Sequence, residues 1–167
     1  MKRFEGKYNK KSKGVFSISL VKAPATGEHY IAMAKQEKLV KLAKVDAEKR
    51  ILMGLVLQPE QIIPRIDEDG NEFEMFFSED TIRDFSQNFF QSGFQLNSKL
   101  EHNTPIEGVS FVESWLVENP KIDKSAAYGL EYPKGSWMVS MKVENDEIWN
   151  DYIKTGELKG FSIDGMV

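Results

Sequence analysis

The sequence contains no cysteine, which excludes disulfides, thiolate zinc sites and a cysteine nucleophile. It has only two histidines, His29 and His102, so a metal site would need carboxylate ligands, and no HExxH spacing exists. It also lacks the GxxxxGK[ST] and GxGxxG phosphate-binding motifs. We therefore expect a protein that needs no cofactor.

Long apolar runs are absent as well. No stretch approaches the roughly 18 apolar residues of a membrane-spanning helix. The basic residues at the start are not followed by the apolar segment of a secretory signal. Together with the missing cysteine, this pattern favours an intracellular, soluble protein with no membrane partner.

The length of 167 residues predicts one domain with a sizeable core. A net charge of −4 argues against a general nucleic-acid binder. Basic residues nevertheless crowd the first part of the chain. We interpret residues 1–14 as a basic, flexible tail and residues 15–167 as the domain.

Alternating apolar and polar residues predict strands over much of the chain. The clearest alternation lies in residues 15–25, 72–78, 108–118, 136–143 and 157–167. Residues 28–37 form a second short strand in this interpretation, and residues 38–50 form a charged connector of undefined structure. The dipeptide Asp69-Gly70 between two apolar runs predicts a hairpin.

Two helices are predicted between these strands. Ser78 is a candidate N-cap, followed by apolar residues at helical spacing and a stop at Gly93. Asn145 is the candidate cap of a second, shorter helix that stops at Gly156. Six to eight strands and two helices define a β-rich α+β domain rather than a doubly wound sheet.

Ser162 lies in the segment LKGFSIDG, residues 158–165. The segment does not match GxSxG, and no helix is predicted after it, so the α/β-hydrolase nucleophile elbow is excluded. Ser162 is then either a polar residue on the wet face of a strand or a nucleophile activated by His102. Gly160 and Gly165 could present backbone amides to an oxyanion. The residues alone leave these alternatives open.

Three stretches, residues 100–103 (LEHN), 112–118 (VESWLVE) and 134–165 (KGSWMVSMKVENDEIWNDYIKTGELKGFSIDG), resemble the XkdF-like family of phage prohead serine proteases. The segment FSISLVKAPA, residues 16–25, also fits that family. The resemblance spans roughly residues 15–165. The XkdF-like family is itself remotely similar to the herpesvirus assemblin-like proteases.

This resemblance implies a barrel-like, mostly antiparallel β core flanked by a few helices, and possible homodimers or higher oligomers. It implies a serine endopeptidase of phage or prophage head maturation, with scaffold and major capsid proteins as substrates, and self-cleavage. It places the protein in the cytoplasm of a bacterial host, inside the assembling prohead. By position, the catalytic residues are Ser162 as nucleophile and His102 as base, with Asn103 beside them.

The third catalytic residue is left open. In the related proteases an acidic residue lies on a strand that corresponds here to residues 16–25, as if the chain were circularly permuted, and its position is held by Ser17. The candidates for the orienting group are therefore Ser17, Ser19 and Glu113. Asp164 is expected to share the face of Ser162 and not to reach His102. A protease fold without activity, serving as a scaffolding or capsid-assembly module, is the alternative function.

Overall fold

The computed structural model describes residues 1–9, 14–22, 31–32 and 49–166. The charged connector, apart from residues 49–50, and most of the predicted strand 28–37 lie outside these residues. The strands are β1 Lys2–Gly6, β2 Gly14–Val21, β3 Ile31–Ala32, β4 Ile51–Leu57, β5 Ile63–Ile66, β6 Glu72–Phe77, β7 Lys99–Leu100, β8 Thr104–Pro105, β9 Val109–Leu116, β10 Trp137–Val143 and β11 Gly160–Met166.

These strands form three sheets, with the orders β1-β6-β5, β3-β4-β10-β9 and β11-β2-β7-β8. Among the strand pairs of the described residues, β1–β6 and β2–β7 are parallel and the others are antiparallel. The β-rich, mostly antiparallel architecture is therefore confirmed. The predicted barrel is not: within the described ranges, none of the three sheets closes on itself.

The helix α1 (Glu79–Gln91) packs over the core, and its boundaries follow the sequence signals. Ser78 is extended and its hydroxyl accepts a hydrogen bond from the Thr81 amide at 3.3 Å, which satisfies a free helix N–H. Phe85 and Phe89 are fully buried on one face. Gly93, with φ of +74°, ends the helical segment.

The second predicted helix is a π-helical turn, Ile148–Ile153. The Asn145 side chain accepts a hydrogen bond from the Ile148 amide at 3.0 Å, which confirms the predicted cap. Short 3₁₀ turns occupy Phe94–Leu96 and Lys124–Tyr128. Among the helices of the described residues, none has both the length and the apolar character needed to cross a membrane.

The main core joins the helix α1 to strands of different sheets. Phe89 makes edge-to-face contacts with Phe111 and Trp137, and Phe111 contacts Phe161 in the same way. Each fully buried side chain of this size contributes about 1.5–3 kcal/mol through removal of apolar surface from water. The core therefore fixes α1, β9, β10 and β11 relative to one another.

The start of the chain differs from the predicted mobile tail. Lys2–Gly6 forms β1, which pairs in parallel with β6. The ring of Phe4 packs edge-to-face on Phe73 at a centroid distance of 5.8 Å, and Arg3 forms an ion pair with Glu74. Phe4 provides an apolar contact with the sheet. This contact was not predicted from the sequence, because the segment was interpreted from its basic residues. Residues 10–13 lie outside the described residues, and the domain boundary at residue 14 stays a prediction.

Candidate active site

Ser162 and Asp164 lie on the same face of β11. Phe161 is 1% exposed and belongs to the core, and Ile163 packs against it. Because side chains alternate along a strand, Ser162 and Asp164 point to the opposite face, with Cα atoms about 6.6 Å apart. Ser162 is 8% exposed. The apolar and polar residues of this segment therefore lie on opposite faces of β11: Phe161 and Ile163 face the core, and Ser162 and Asp164 face the other side.

Strand β2 lies next to β11 and supplies the other polar side chains of this face. In the antiparallel register Ser162 lies opposite Ser19, and Asp164 lies opposite Ser17. The Ser19 hydroxyl donates a hydrogen bond of 2.8 Å to Oδ2 of Asp164, which is its diagonal neighbour. The Asp164 carboxylate thus leans along the strand toward the level at which Ser162 lies.

His102 comes from the turn between β7 and β8. The Asn103 amide donates to the Leu100 carbonyl at 3.1 Å and closes a four-residue turn. Its two central residues, Glu101 and His102, both have positive φ, +51° and +64°. This is the conformation of a type I′ turn, for which Asn-Gly is the preferred pair. A histidine in this conformation is strained, and such strain is concentrated at functional sites.

The turn is tied to the end of β2. Leu100 lies opposite Leu20 in the parallel β2–β7 pair. The Glu101 amide donates to the Leu20 carbonyl at 3.0 Å, and the Lys22 amide donates to Oε1 of Glu101 at 2.6 Å. Glu101 therefore fixes the backbone from which the His102 side chain projects.

His102 contacts Asp164 across the site: its Nδ1 atom lies against Oδ1 of the carboxylate. The His102 side chain is 38% exposed and that of Asp164 is 17% exposed. The expectation that Asp164 does not reach His102 was wrong. Asp164 does share the face of Ser162, and that face is the one on which the β7–β8 turn places the imidazole.

This arrangement has a clear chemical consequence. A carboxylate at Nδ1 favours the neutral tautomer that carries its proton there, which leaves Nε2 as a hydrogen-bond acceptor. Such an imidazole is oriented to take a proton from a hydroxyl, and a serine hydroxyl becomes a useful nucleophile only when a base does so. The pairing of Ser162 with His102 stays a prediction.

The other candidates for the orienting group have different partners. The Ser17 hydroxyl donates to the Asn97 carbonyl at 3.1 Å. Glu113 lies on β9, in a different sheet, and both of its oxygens accept hydrogen bonds from Nζ of Lys124 at 2.7 and 2.6 Å. The Lys124 ammonium lowers the pKa of the Glu113 carboxyl. Of the three, Ser19 is the residue that contacts the acid at His102.

The two glycines flanking Ser162 both lie in the β2–β11 ladder, with Gly160 opposite Val21 and Gly165 opposite Val15. Their role as oxyanion donors stays a prediction. Over the described parts of the chain, no group of three or more metal-ligating side chains comes together. His29 lies outside the described residues.

Comparison of the sequence with known protein families places the chain in a class, that of the phage serine proteases. The matching family model is described as "Putative phage serine protease XkdF" and covers residues 38–167, well over half of the chain. The chain therefore belongs to this family. The match includes the positions of His102, Ser162 and Asp164, whereas β2 and Ser19 precede it. No curated protein matches the chain, and no solved structure does.

Proposed function

We propose that this protein is a serine endopeptidase that acts in phage or prophage head maturation through Ser162, His102 and Asp164. The contact between Asp164 and Nδ1 of His102, on the strand face that carries Ser162, is the observation that supports it. Membership of a phage serine protease family supports the same class of reaction.

In this mechanism Ser162 Oγ attacks the scissile carbonyl while Nε2 of His102 takes its proton. Asp164 holds the imidazole in the required tautomer and stabilises the imidazolium that forms. The proton then passes from His102 to the leaving amine, and water hydrolyses the acyl-enzyme by the same steps. Backbone amides near Gly160 or Gly165 stabilise the oxyanion.

The substrates in this proposal are scaffold and major capsid proteins, with self-cleavage as a further reaction, and the site of action is the prohead assembling in the bacterial cytoplasm. An assemblin-like relationship and a homodimeric or larger assembly are parts of the same proposal. The alternative, an inactive scaffolding module, was favoured by the lack of a carboxylate at Ser17. In our proposal Asp164 provides the carboxylate from the neighbouring strand, which supports the active enzyme over the scaffolding module.

The test combines a fluorophosphonate probe with cleavage of purified scaffold protein. We expect covalent labelling and cleavage by the parent chain, and loss of both in Ser162→Ala and His102→Ala. Ser17→Ala and His29→Ala are matched controls and should retain both activities. Labelling of Ser162→Ala as strong as that of the parent would refute the nucleophile. Binding to capsid protein without any cleavage would favour the scaffolding alternative.

A further inference from the structure

We propose that Ser19 is a positioning residue of this site: its hydroxyl holds the Asp164 carboxylate so that the second oxygen faces His102. The catalytic consequence rests on the proposed protease function. The effect on the geometry of His102 does not, because it follows from contacts in the fold.

Two buried serines on one face of β2 allow the role of Ser19 to be isolated. Ser19 is 0% exposed and Ser17 is 2% exposed. Ser17 lies directly opposite Asp164, yet its hydroxyl donates to the Asn97 carbonyl. Ser19 is the diagonal neighbour, and its hydroxyl donates to Oδ2 of Asp164 at 2.8 Å. Contact with the acid therefore depends on one specific serine and not on strand pairing alone.

A second anchor on Asp164 matters because the terminal torsion of an aspartate is soft. Rotation about that bond has broad minima, so one contact at Oδ1 does not fix the plane of the carboxylate. Ser19 fixes the other oxygen, and a hydrogen bond to a charged acceptor is stronger than one between neutral groups. The donor is neutral, so Asp164 keeps the negative charge that an imidazolium on His102 requires.

Ser19 lies in a part of the chain that the family model does not match. The family model begins at residue 38, so the strand that carries Ser19 lies outside the range it matches. The site is thus completed by a hydroxyl from a segment that the family match does not include.

The first measurement is steady-state cleavage by three variants. Ser19→Ala should lower kcat/KM by about 10- to 100-fold, the loss expected for one hydrogen bond to a charged group, with KM close to that of the parent. Ser17→Ala, the matched control, should change kcat/KM by less than about threefold. Ser19→Thr restores the hydroxyl and should recover most of the activity.

The second measurement needs no catalysis. The imidazole N–H that faces a carboxylate gives a far-downfield proton resonance, which Asp164→Asn and His102→Ala assign by removing it. We expect Ser19→Ala to broaden or abolish this resonance and Ser17→Ala to retain it. Ser19→Cys, which nearly keeps the side-chain volume but has a weak donor, covers the case in which Ser19→Ala does not fold.

The two measurements separate the two proposals. If the parent cleaves, and Ser19→Ala matches Ser17→Ala in both kcat/KM and the resonance, the positioning role is wrong and the protease function stands. If the parent is inert but Ser19→Ala and Ser19→Cys lose the resonance selectively, the protease function is wrong and the positioning role stands. Loss of both rate and resonance in folded Ser19→Ala supports both.

Discussion

Nδ1 of His102 lies against Oδ1 of Asp164, although the two residues are 62 positions apart in the chain. His102 comes from a turn with positive φ angles, and Asp164 comes from β11, whose side chains point alternately to the core and to the candidate site. Their contact joins the β7–β8 turn to β11 across β2, which lies between them in the sheet. Sheet topology thereby brings the imidazole that we propose as the base into contact with a carboxylate on the strand face that carries Ser162.

The acid is the first position to test. Asp164→Asn should lower kcat/KM by about 10³- to 10⁴-fold near neutral pH, because an amide at this position favours the wrong imidazole tautomer. The rate of scaffold cleavage at saturating and limiting substrate measures the loss.

Glu113→Gln is the matched control for Asp164→Asn. Its carboxylate forms an ion pair with Lys124 in another sheet, so its loss should leave kcat/KM within about threefold of the parent, as for a surface ion pair. A larger loss of kcat/KM in Glu113→Gln than in Asp164→Asn would show that Asp164 is not the orienting acid.

The turn predicts a conflict between stability and activity at His102. Both His102→Gly and His102→Ala lose the contact with Asp164, but only glycine adopts the φ of +64° without steric cost. The glycine variant should therefore exceed the alanine variant by about 1 kcal/mol in the free energy of unfolding. Urea denaturation of the two variants measures this difference.

Gly93→Ala calibrates the size of that effect. Gly93 has φ of +74°, and a Cβ there would meet no atom within 4 Å, so the substitution reports the cost of conformation alone. Equal stability of His102→Gly and His102→Ala, alongside a destabilised Gly93→Ala, would contradict the assigned turn.

Asp123 predicts a pH dependence of stability. Burial raises the pKa of its carboxyl, but hydrogen bonds from Ser125 and Trp115 outweigh this and lower it below the usual 3.8. A lowered folded pKa means that Asp123 stabilises the fold fully above about pH 4 and loses this contribution as the pH falls through the folded value. Asp123→Asn should therefore reduce stability at pH 7 more than at pH 2.5.

Urea unfolding of parent and Asp123→Asn across this pH range checks the prediction. Asp69→Asn, at an exposed position in the β5–β6 hairpin turn, is the control. A parallel pair of stability curves for the parent and Asp123→Asn, separated equally at both pH values, would show that the charge of Asp123 contributes nothing.

Phe89 is the core residue whose loss should cost most. It is fully buried and its ring contacts Phe90, Phe94, Phe111 and Trp137. Phe89→Ala leaves a cavity at the centre of these contacts and should cost about 3–5 kcal/mol. Phe4→Ala, at a ring that is 50% exposed, should cost far less. Comparable midpoints of urea unfolding for the two variants would contradict this core.

Local patterns were enough to predict α1 and the strands β2, β6, β9, β10 and β11. The Ser78 cap, the spacing of Phe85 and Phe89, and the alternation around Trp137 are each read within a few residues. The short strands β7 and β8 were not predicted, because two-residue strands carry no periodicity. The barrel was implied by the family resemblance and not by a local pattern, and none of the three sheets in the described ranges closes on itself. Sheet closure depends on long-range pairing, which no local pattern encodes.

The site was predicted in part for the same reason. His102 was selected because the chain has only two histidines, Ser162 because it lies between glycines in an apolar stretch, and both because of a family resemblance. Asp164 was set aside although its spacing from Ser162 places both on one face, because the sequence does not reveal which turn approaches that face. The signal that could have found Asp164 was the shared polar face: Ser19 on β2 lies opposite Ser162 on β11, and Ser17 lies opposite Asp164.

The pairing of Ser19 with Asp164 spans 145 positions of the chain. During synthesis β2 leaves the ribosome before β11, and pairing between strands so far apart in the chain is intrinsically slow. The order of synthesis therefore sets the order in which the elements of the candidate site become available. A growing chain that has β2 and the His102 turn still lacks Ser162 and Asp164, so the contact that orients the imidazole forms only after β11 has been synthesised.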